Sequence, residues 1–390
     1  MKVAIVHDWL TGMRGGERCL EVFCELFPEA DIYTLLHVKG TVTPTIESHP
    51  IRTSLVQRLP LSGRYYRHYL PLLPLAADLL SIDDCDLVLS SSHCVAKNVR
   101  VPAGACHIAY LHTPMRYVWD QFEAYFGPGR ASWPVRKAMR VLRGWLQRKD
   151  VATSRRVHYF IANSRHVARR ILDYYGREAA VIYPPVDVDA FELSERDDGY
   201  FAMVTAFAPY KRVDIAVEAF NQLGLPLKII GSGQDEARLK KMAGANVEFL
   251  GWKSDADVRE AYAGCRALIF PGEEDFGIVP VEAMASGKPV IAYAKGGALE
   301  TVVPLNEERD QPAGLEARGQ APTGVLFPEQ TPDALINAVD YFEGHRERFD
   351  PAGIREHAES FNRERFKNAI HDFVGAKYEE FQGKKKPSTG

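Results

Sequence analysis

The sequence has few cysteines and no regular arrangement of them. Its 390 residues include six cysteines, and no two stand in a CxxC pair. Zinc sites and disulfide frameworks in small folds need regular spacing, so we expect neither here. We expect small, buried thiols in a reducing compartment instead. The six residues are Cys19, Cys24, Cys85, Cys94, Cys106 and Cys265.

Long apolar segments are also missing. No apolar run approaches the roughly 18 to 20 residues that a membrane span needs. The first residues lead directly into a predicted strand, Lys2–His7, so we expect no signal peptide. We therefore expect a cytoplasmic protein, attached to a membrane at most peripherally. A length of 390 residues suggests at least two domains.

The dinucleotide fingerprint is absent. The strand Lys2–His7 is followed by Gly12, Gly15 and Gly16 and then by an amphipathic helix, roughly Glu17–Phe27. This is a strand, a glycine turn and a helix, but the spacing is not GxGxxG. The turn predicts an α/β unit and gives no reason to expect a bound cofactor.

A metal site of the DxD type is not expected either. Three pairs of aspartates have that spacing, at positions 84 and 86, 187 and 189, and 255 and 257. None follows directly after a predicted buried strand, where a metal on a diphosphate would be held. Since the chain has 51 acidic residues, chance matches are expected. We predict no metal requirement.

The net charge of -3 conceals an uneven distribution. Residues 1–190 carry 24 basic and 18 acidic side chains, whereas residues 191–390 carry 24 and 33. Within 51–170 the counts are 19 and 7. A basic first half suits anionic lipid head groups or a diphosphate-bearing acceptor. Nucleic acid would fit the charge, but no binding motif accompanies it.

Two segments of this basic half could meet a membrane. Residues 58–75 mix arginine, tyrosine and leucine, which favours a lipid interface as much as a helix and loop packed on the sheet. Residues 130–158 are rich in arginine and lysine on a helical pattern, with Val135, Met139, Leu142 and Leu146 predicted to face inward. Their charge adds weakly to the membrane interpretation.

The most informative stretch runs from Ala267 to Gly287. An apolar strand, Ala267–Phe270, leads into an acidic loop and then a helix with Pro280 in its first turn. Such a helix N-terminus binds anions, because its free N–H groups and dipole face the loop. Glu274 and Glu282 stand beside it, and carboxylates suit hydroxyl groups. A nucleotide sugar carries both phosphates and a polyol, so it would use both the helix N-terminus and the carboxylates.

The chain divides at the paired prolines Pro184 and Pro185. Beyond them, strands near 200–205, 227–230, 247–250, 267–270, 289–293 and 324–327 alternate with helices, which predicts a parallel sheet. Residues 303–322 are predicted to form a polar loop. Both halves are built alike, and the fold class is α/β.

The segment EDFGIVPVEAMASGKPVIA, with Glu274 and Glu282 eight apart, resembles the signature of the retaining nucleotide-sugar glycosyltransferases of family four. The resemblance extends over nearly the whole chain. It implies a GT-B fold, with two Rossmann-like doubly wound parallel-sheet domains facing a cleft. It places an acceptor domain at 1–185, a nucleotide-sugar domain at 186–360 and a helix crossing back at 361–383. The last residues, 384–390, are predicted from their position and composition to form a disordered tail.

The resemblance also implies the site residues. His112, Lys211 and Glu274 would be catalytic: His112 and Glu274 would bind the donor sugar, and Lys211 the diphosphate. No enzyme nucleophile or cofactor is implied. Glu282 would hold the ribose. The other donor-binding residues would be Gly15, Gly16, Arg212, Gly231, Ser232, Gly233, Phe276, Gly277, Ile278 and Val279. The acceptor-binding residues would be Arg14, Arg116, Asn163 and Ser164.

One position departs from the family pattern. The family pairs its lysine with an arginine five residues earlier, and that position is Ala206 here. Either Arg212 substitutes, or Lys211 acts with helix dipoles alone. We favour the second, because a neighbouring residue on a helix points elsewhere.

The motifs HTPMRYVWD, VIYPPVDVDAF and APYKRVD most resemble bacterial mannosyltransferases that build surface polysaccharide, lipopolysaccharide or exopolysaccharide. GDP-mannose is therefore the first candidate donor, with UDP-glucose and UDP-galactose as rivals. The acceptor would be a saccharide, free or linked to polyprenyl diphosphate, at the inner-membrane surface. A nucleotide-sugar 2-epimerase and a non-catalytic nucleotide-sugar-binding protein remain alternatives, the second because of Ala206.

Overall fold

The computed structural model describes residues 1–305 and 321–385, with the side chains up to 384. These residues form two compact units: one comprises Met1–Pro185 and the chain from Glu364 onward, and the other Val186–Arg363. Most of the predicted loop 303–322 and of the predicted tail 384–390 lies outside the described residues.

The first unit contains a seven-stranded parallel sheet. Its spatial order is β3-β2-β1-β4-β5-β6-β7, the doubly wound arrangement of a Rossmann-like domain. The strands are β1 (Val3–His7), β2 (Asp31–Thr34), β3 (Ile51–Thr53), β4 (Leu87–Ser92), β5 (Cys106–Leu111), β6 (Tyr159–Ala162) and β7 (Ala179–Val181).

The helices of this unit connect its parallel strands. They are α1 (Gly15–Leu26), α2 (Pro44–Glu47), α3 (Ser62–Tyr65), α4 (Leu73–Asp78), α5 (Phe122–Phe126), α6 (Trp133–Ser154) and α7 (Arg165–Tyr175). Short 3-10 helices lie at Leu55–Arg58, Tyr66–Leu72 and Ala96–Asn98. The central strands β1, β4 and β5 are buried along their whole length, because helices cover both faces of the sheet.

The second unit contains a six-stranded parallel sheet in the order β10-β9-β8-β11-β12-β13. Its strands are β8 (Phe201–Val204), β9 (Leu227–Ile230), β10 (Val247–Gly251), β11 (Leu268–Phe270), β12 (Val290–Tyr293) and β13 (Gly324–Phe327). Its helices are α8 (Val213–Leu223), α9 (Glu236–Met242), α10 (Asp255–Gly264), α11 (Ile278–Ala285), α12 (Ala298–Thr301), α13 (Pro332–Gly344) and α14 (Pro351–Glu359), with 3-10 turns at Val188–Ala190, Pro209–Lys211 and Arg346–Arg348.

The last helix, α15 (Arg363–Lys385), returns to the first unit. Phe366, Ile370 and Val374 follow one another at helical spacing and are buried in the core that α1 and β1 also line. The aromatic ring of Phe366 stacks on that of Phe23, with the ring centroids 6.0 Å apart. The chain therefore crosses from its second sheet back to the core of its first.

The prediction of two Rossmann-like parallel-sheet domains is confirmed, and the differences are local. The edge strands β3 and β7 have three residues each, too few for a hydrophobic pattern to reveal. Val135 was predicted to face inward but is exposed. It lies in the first turn of α6, before Met139 and Leu146, which are buried in a shared cluster.

Residues 58–75 show features of both interpretations. Tyr66, Leu70 and Leu73 are buried in the cluster that contains Trp9 and Met139, as a packed segment would be. Leu61 and Leu72, on the same segment, are exposed. Within residues 1–305 and 321–385, no helix combines the length and the apolarity that crossing a membrane requires.

Candidate active site

Lys211 and Glu274 form an ion pair in the second unit. Lys211 ends the 3-10 turn Pro209–Lys211 that follows β8, and Glu274 lies in the loop that follows β11. Since β8 and β11 are neighbours in the sheet, the loops at their carboxyl ends meet. Gly272 makes the approach close, because a Cβ atom there would lie 3.0 Å from Cα of Lys211. Both predicted catalytic residues of this unit therefore occupy one place.

The loop after β11 leads directly into the N-terminus of α11. Gly277 precedes the helix with a φ of 91°, a conformation that favours glycine. Phe276 is buried, and the N–H of Gly297 donates to the carbonyl oxygen of Glu274 over 2.8 Å. Ile278 and Val279 open the helix and contribute free N–H groups there. This backbone is the predicted anion site, and Glu274 lies beside it.

Glu282 lies in the second turn of α11 and is partly buried. The hydroxyl of Tyr262, which is fully buried in α10, donates to its Oε2 over 3.2 Å. The hydrogen bond holds one carboxylate oxygen in a fixed orientation. Sequence reasoning missed Tyr262, since nothing in its surroundings on α10 distinguishes it from a core tyrosine.

The glycines after β9 accommodate the chain's own backbone. A Cβ atom on Gly231, whose φ is 140°, would overlap the carbonyl oxygen of Thr205. A Cβ atom on Gly233 would lie 2.7 Å from the carbonyl oxygen of Phe207, whose N–H donates to the carbonyl of Ser232. Close approach was predicted here, but toward a nucleotide. Within the chain, these glycines lie close to the loop after β8, and the approach to a nucleotide stays a prediction.

Arg212 is engaged with its own helix. It adopts a left-handed conformation, with a φ of 52°, immediately before α8. Its Nε donates to the carboxylate of Asp214 over 3.2 Å. Ala206 is exposed and adds no cation. The guanidinium thus pairs with Asp214. Arg212 precedes the helix, although we expected it to lie on the helix.

His112 lies at the carboxyl end of β5 in the first unit and is partly exposed. Its Nε2 is 2.8 Å from the hydroxyl of Ser91 on β4. The same hydroxyl is 3.1 Å from Nδ1 of His7 at the end of β1. Desolvation lowers the pKa of His112 to about 3, and His93 and His7 add to the effect. The ring is therefore neutral at physiological pH.

A buried carboxylate stands behind this group. Oε1 of Glu17, in the first turn of α1, is 3.7 Å from Nε2 of His7, and the two side chains are 3% and 0% exposed. Burial acts to raise the pKa of Glu17, but the His7 ring and then His93 outweigh it, so the pKa lies below its ordinary value. Glu17 is an anion in the interior.

Asp8 fixes the loop beside these rings. Its buried carboxylate accepts hydrogen bonds from the backbone N–H groups of four successive residues, 93 to 96, at 2.6–2.9 Å. Its Oδ2 is also 3.2 Å from Nδ1 of His93. Four N–H donors compensate the buried charge and hold the loop after β4 next to β1.

The remaining first-unit predictions have different environments. Gly15 and Gly16 open α1, and Gly16 lies against the rings of His7 and His112. Arg14 is exposed before the helix, Arg116 is partly buried after β5 and Asn163 is buried. The fully buried Ser164 caps α7, its hydroxyl accepting from the N–H of Val167 over 3.0 Å, which favours a structural role.

The three DxD pairs occupy unrelated places. Oδ2 of Asp86 accepts from the N–H of Lys2 over 2.7 Å, and Asp257 belongs to the capping box that opens α10. The side chain of Asp189 is 97% exposed. Across the parts of the chain that the structure describes, no group of three or more His, Cys, Asp or Glu side chains could hold a metal ion.

Two family descriptions match adjoining parts of the chain. The family described as Glycosyltransferase Family 4 matches residues 13–190, and the one described as Glycosyl transferases group 1 matches residues 187–356. Both units are covered, and the second match contains Lys211, Glu274 and Glu282. The chain belongs to the glycosyltransferases of family four.

Curated relatives of this family-four chain match it in part. An uncharacterized glycosyltransferase of Methanocaldococcus jannaschii is 32% identical over 167 residues, 40% of this chain and 47% of the relative. The D-inositol 3-phosphate glycosyltransferase of Mycobacterium tuberculosis is 28% identical over 236 residues, 54% of this chain and 47% of the relative. The chain thus matches about half the length of these relatives.

Solved structures agree on the fold of this family-four chain. The Anabaena protein HepE in complex with UDP-glucose has 18% identity and a TM-score of 0.67, covering 96% of this chain and 100% of HepE. The apo form of WaaB, a lipopolysaccharide outer core galactosyltransferase, has 16% identity and a TM-score of 0.64, covering 97% of this chain and 100% of WaaB. At such identities the likeness concerns the GT-B fold alone.

Proposed function

We propose that this protein transfers a hexose from a nucleoside-diphosphate sugar to a saccharide acceptor, with retention of configuration and without a metal. The observation that carries the proposal is the Lys211–Glu274 pair beside the N-terminus of α11. A cation and free N–H groups suit the diphosphate, and a carboxylate suits the sugar hydroxyls. Membership of family four supports the same reaction class.

The proposed reaction uses these groups as follows. The acceptor hydroxyl attacks the anomeric carbon on the face that the diphosphate leaves. The bond from that carbon to the phosphate oxygen breaks through an oxocarbenium-like state, and a phosphate oxygen takes the hydroxyl proton. Lys211 and the α11 N-terminus stabilise the charge that grows on the leaving group. Glu274 orients the sugar hydroxyls, Glu282 binds the ribose and His112 contacts the donor sugar.

A paired comparison of neighbouring glutamates tests this assignment. We expect Glu274→Gln to lower donor hydrolysis and transfer by at least a hundredfold, since charged transition-state contacts are worth several kcal/mol. Glu273→Gln is the matched control, because Glu273 has the same charge one position earlier and its Oε2 lies 3.2 Å from Nζ of Lys295. An equal loss in both variants, or full activity in Glu274→Gln, would contradict the proposal.

GDP-mannose is the proposed donor, on the resemblance of HTPMRYVWD, VIYPPVDVDAF and APYKRVD to mannosyltransferases. UDP-glucose is the second candidate, because HepE, which shares the fold, binds it. Ligands that bind only the native state raise its melting temperature. We expect GDP-mannose to raise it more than UDP-glucose, UDP-galactose or an ADP-sugar. A larger shift with a UDP-sugar would reassign the donor.

Transfer must be separated from the two alternative functions. A 2-epimerase would convert the nucleotide sugar without an acceptor, and a binding protein would leave it intact. We expect slow release of free sugar from the donor alone and faster consumption when a saccharide acceptor is added. Epimerised nucleotide sugar, or no turnover at all, would favour the alternatives.

We further propose that the acceptor is carried on polyprenyl diphosphate and met at an anionic membrane surface, in the synthesis of surface polysaccharide or exopolysaccharide. Trp133 and Val141 are exposed on α6, next to the basic residues Lys137 and Arg140. Leu61 and Leu72 are exposed on the segment that shares a buried cluster with α6. Apolar side chains among cations suit a surface of anionic lipids.

Vesicle sedimentation tests the membrane proposal. We expect binding to vesicles that contain phosphatidylglycerol, weaker binding to phosphatidylcholine alone, and release by high salt. Trp133→Ser should weaken binding severalfold. Trp252→Ser is the control, because Trp252 is similarly exposed but lies in the second unit. Equal binding to both vesicle types, or an equal effect of the two substitutions, would contradict it.

A further inference from the structure

Four buried or partly buried side chains form a continuous series at the carboxyl ends of β1, β4 and β5. Glu17 Oε1 lies 3.7 Å from His7 Nε2, His7 Nδ1 lies 3.1 Å from Ser91 Oγ, and Ser91 Oγ lies 2.8 Å from His112 Nε2. The residues come from α1, from β1 and β4, and from the position directly after β5, so the sheet brings them together. None except His112 was singled out from the sequence.

The orientation of one hydrogen bond in the series determines the others. A serine hydroxyl carries a single hydrogen, so Ser91 can donate to only one of its two histidine neighbours and must accept from the other. A neutral imidazole has one protonated and one unprotonated nitrogen. The protonated nitrogen of His7 therefore decides which nitrogen of His112 carries a proton.

Glu17 determines which ring nitrogen of His7 carries the proton. Its carboxylate is an anion with acceptor oxygens only, and it faces Nε2 of His7 in the interior. His7 Nε2 is buried and has no hydrogen-bond partner within the residues that the structure describes, and the carboxylate oxygen Oε1 of Glu17 lies 3.7 Å from it. A proton on Nε2 is attracted to that charge, whereas an Nε2 lone pair would be repelled by it.

We propose that Glu17, His7 and Ser91 hold neutral His112 in the Nε2–H tautomer, so that its Nδ1 lone pair accepts a hydrogen bond from a hydroxyl of the donor sugar. With the proton of His7 on Nε2, its Nδ1 accepts from Ser91. The Ser91 oxygen then accepts from Nε2–H of His112. The contact with the sugar rests on the proposed function, whereas the tautomer does not. Glu17, His7 and Ser91 are positioning residues.

Two further titratable groups, His93 and Asp8, lie beside the series. The ring centroid of His93 is 5.8 Å from that of His7 and 6.3 Å from that of His112. Burial lowers the pKa of His93, and the neighbouring Asp8 acts in the opposite direction. Asp8 is compensated by four backbone N–H groups and by His93. A doubly protonated His7 would force Ser91 to donate to His112 and would give the opposite tautomer.

Nitrogen-15 NMR of the full chain tests the tautomer directly. In protein labelled at histidine, the shifts of the two ring nitrogens distinguish protonated from unprotonated nitrogen, and His112→Gln assigns the signal by its disappearance. We expect an unprotonated Nδ1 and a protonated Nε2 at His112. A protonated Nδ1 in the native protein would overturn the proposal.

Two variants test whether Glu17 and Ser91 act through the tautomer of His112 or only through the local structure. Glu17→Gln and Ser91→Ala should each shift His112 toward the Nδ1–H form and raise the KM for the donor about threefold to tenfold, with a smaller change in kcat. Glu25→Gln is the control, since Glu25 lies on α1 but pairs with Lys367. If the nitrogen-15 chemical shifts of His112 are unchanged in both test variants, the proposal that Glu17 and Ser91 set its tautomer is overturned.

The two hypotheses can fail separately. If the nitrogen-15 shifts of His112 change as expected but the KM for the donor does not, the control of the tautomer is supported and the contact of His112 with the sugar is excluded. If Glu17→Gln does not fold, Ser91→Ala decides alone, because it removes only a hydroxyl.

Discussion

The hydroxyl of Tyr262 donates to Oε2 of Glu282 over 3.2 Å, across two neighbouring helices of the second unit. Tyr262 is fully buried, so its hydroxyl has little access to water as an alternative partner. Burial and the nearby Glu282 raise its pKa well above the ordinary value of tyrosine, so the hydroxyl keeps its proton. The carboxylate that we assign to the ribose is therefore oriented by a second residue.

Tyr262→Phe should weaken donor binding without unfolding the protein. The substitution removes one hydrogen bond, worth about 1 kcal/mol, and with it one of the constraints on the orientation of the Glu282 carboxylate. We expect the KM for the donor to rise roughly fivefold, with kcat nearly unchanged. Tyr200→Phe is the control, since its hydroxyl bonds to the carbonyl oxygen of Ala261 and to no site residue. A similar KM in both variants would exclude an orienting role.

Gly231→Ala should strongly destabilise the second unit. A φ of 140° is unfavourable for alanine, and the new Cβ would overlap the carbonyl oxygen of Thr205. We expect a loss of several kcal/mol in the free energy of unfolding, or insoluble protein. Gly375→Ala, on the exposed face of α15 with open space around it, should raise stability by about 0.5–1 kcal/mol. Thermal unfolding of both variants checks the contrast.

Lys97→Met should lower the free energy of unfolding by about 3–5 kcal/mol. Nζ of Lys97 lies 2.7 Å from Oδ1 of Asp150, and the two side chains are 1% and 0% exposed. The substitution leaves a buried carboxylate that still accepts hydrogen bonds from Trp119 and Tyr175 but has lost its cationic partner. Urea denaturation measures the loss.

An exposed pair provides the control for this substitution. Arg169 and Asp173 are 3.0 Å apart on α7, and both are well exposed. Arg169→Met should change the free energy of unfolding by less than about 1 kcal/mol. Equal losses in the two variants would show that burial is not what makes the Lys97 pair important.

Asp78 should make stability fall in acid. Hydrogen bonds from Arg100, and then from Arg156 and Lys149, outweigh burial and hold its pKa well below the ordinary value of about 3.9. Because the folded pKa is the lower one, the stabilisation is complete above the unfolded pKa. It is lost as the pH falls through that value toward the folded pKa.

The comparison with Asp78→Asn measures this contribution. At pH 7 we expect the variant to be less stable by about 2 kcal/mol, since it loses charged hydrogen bonds. The difference should shrink between about pH 5 and pH 2 as the native Asp78 is protonated. Urea titrations over that range check it. A difference that grows in acid would contradict the assignment.

Much of the fold could be predicted because it depends on patterns of apolar residues, glycine and proline within short stretches of the sequence. The apolar runs of β1, β4, β5 and β11 are buried strands, and the loop before α11 has the glycine that its φ of 91° favours. The short strands β3 and β7 were not predicted, because three residues are too few to show a hydrophobic pattern. The boundary of a helix, such as the exposed first turn of α6, depends on where the underlying core ends.

The sequence by itself determined that the chain forms two parallel-sheet domains and that a loop and a helix follow the strand that ends at Phe270. These features are local, since hydrophobic spacing, glycine and proline act over a few residues. Only the tertiary structure decided which distant side chains meet. It paired Lys211 with Glu274, gave Glu282 the hydroxyl of Tyr262, and joined Glu17, His7 and Ser91 to His112. Parallel strands cause the first and the last of these meetings, because their carboxyl ends share one edge of a sheet while their residues lie far apart in the chain.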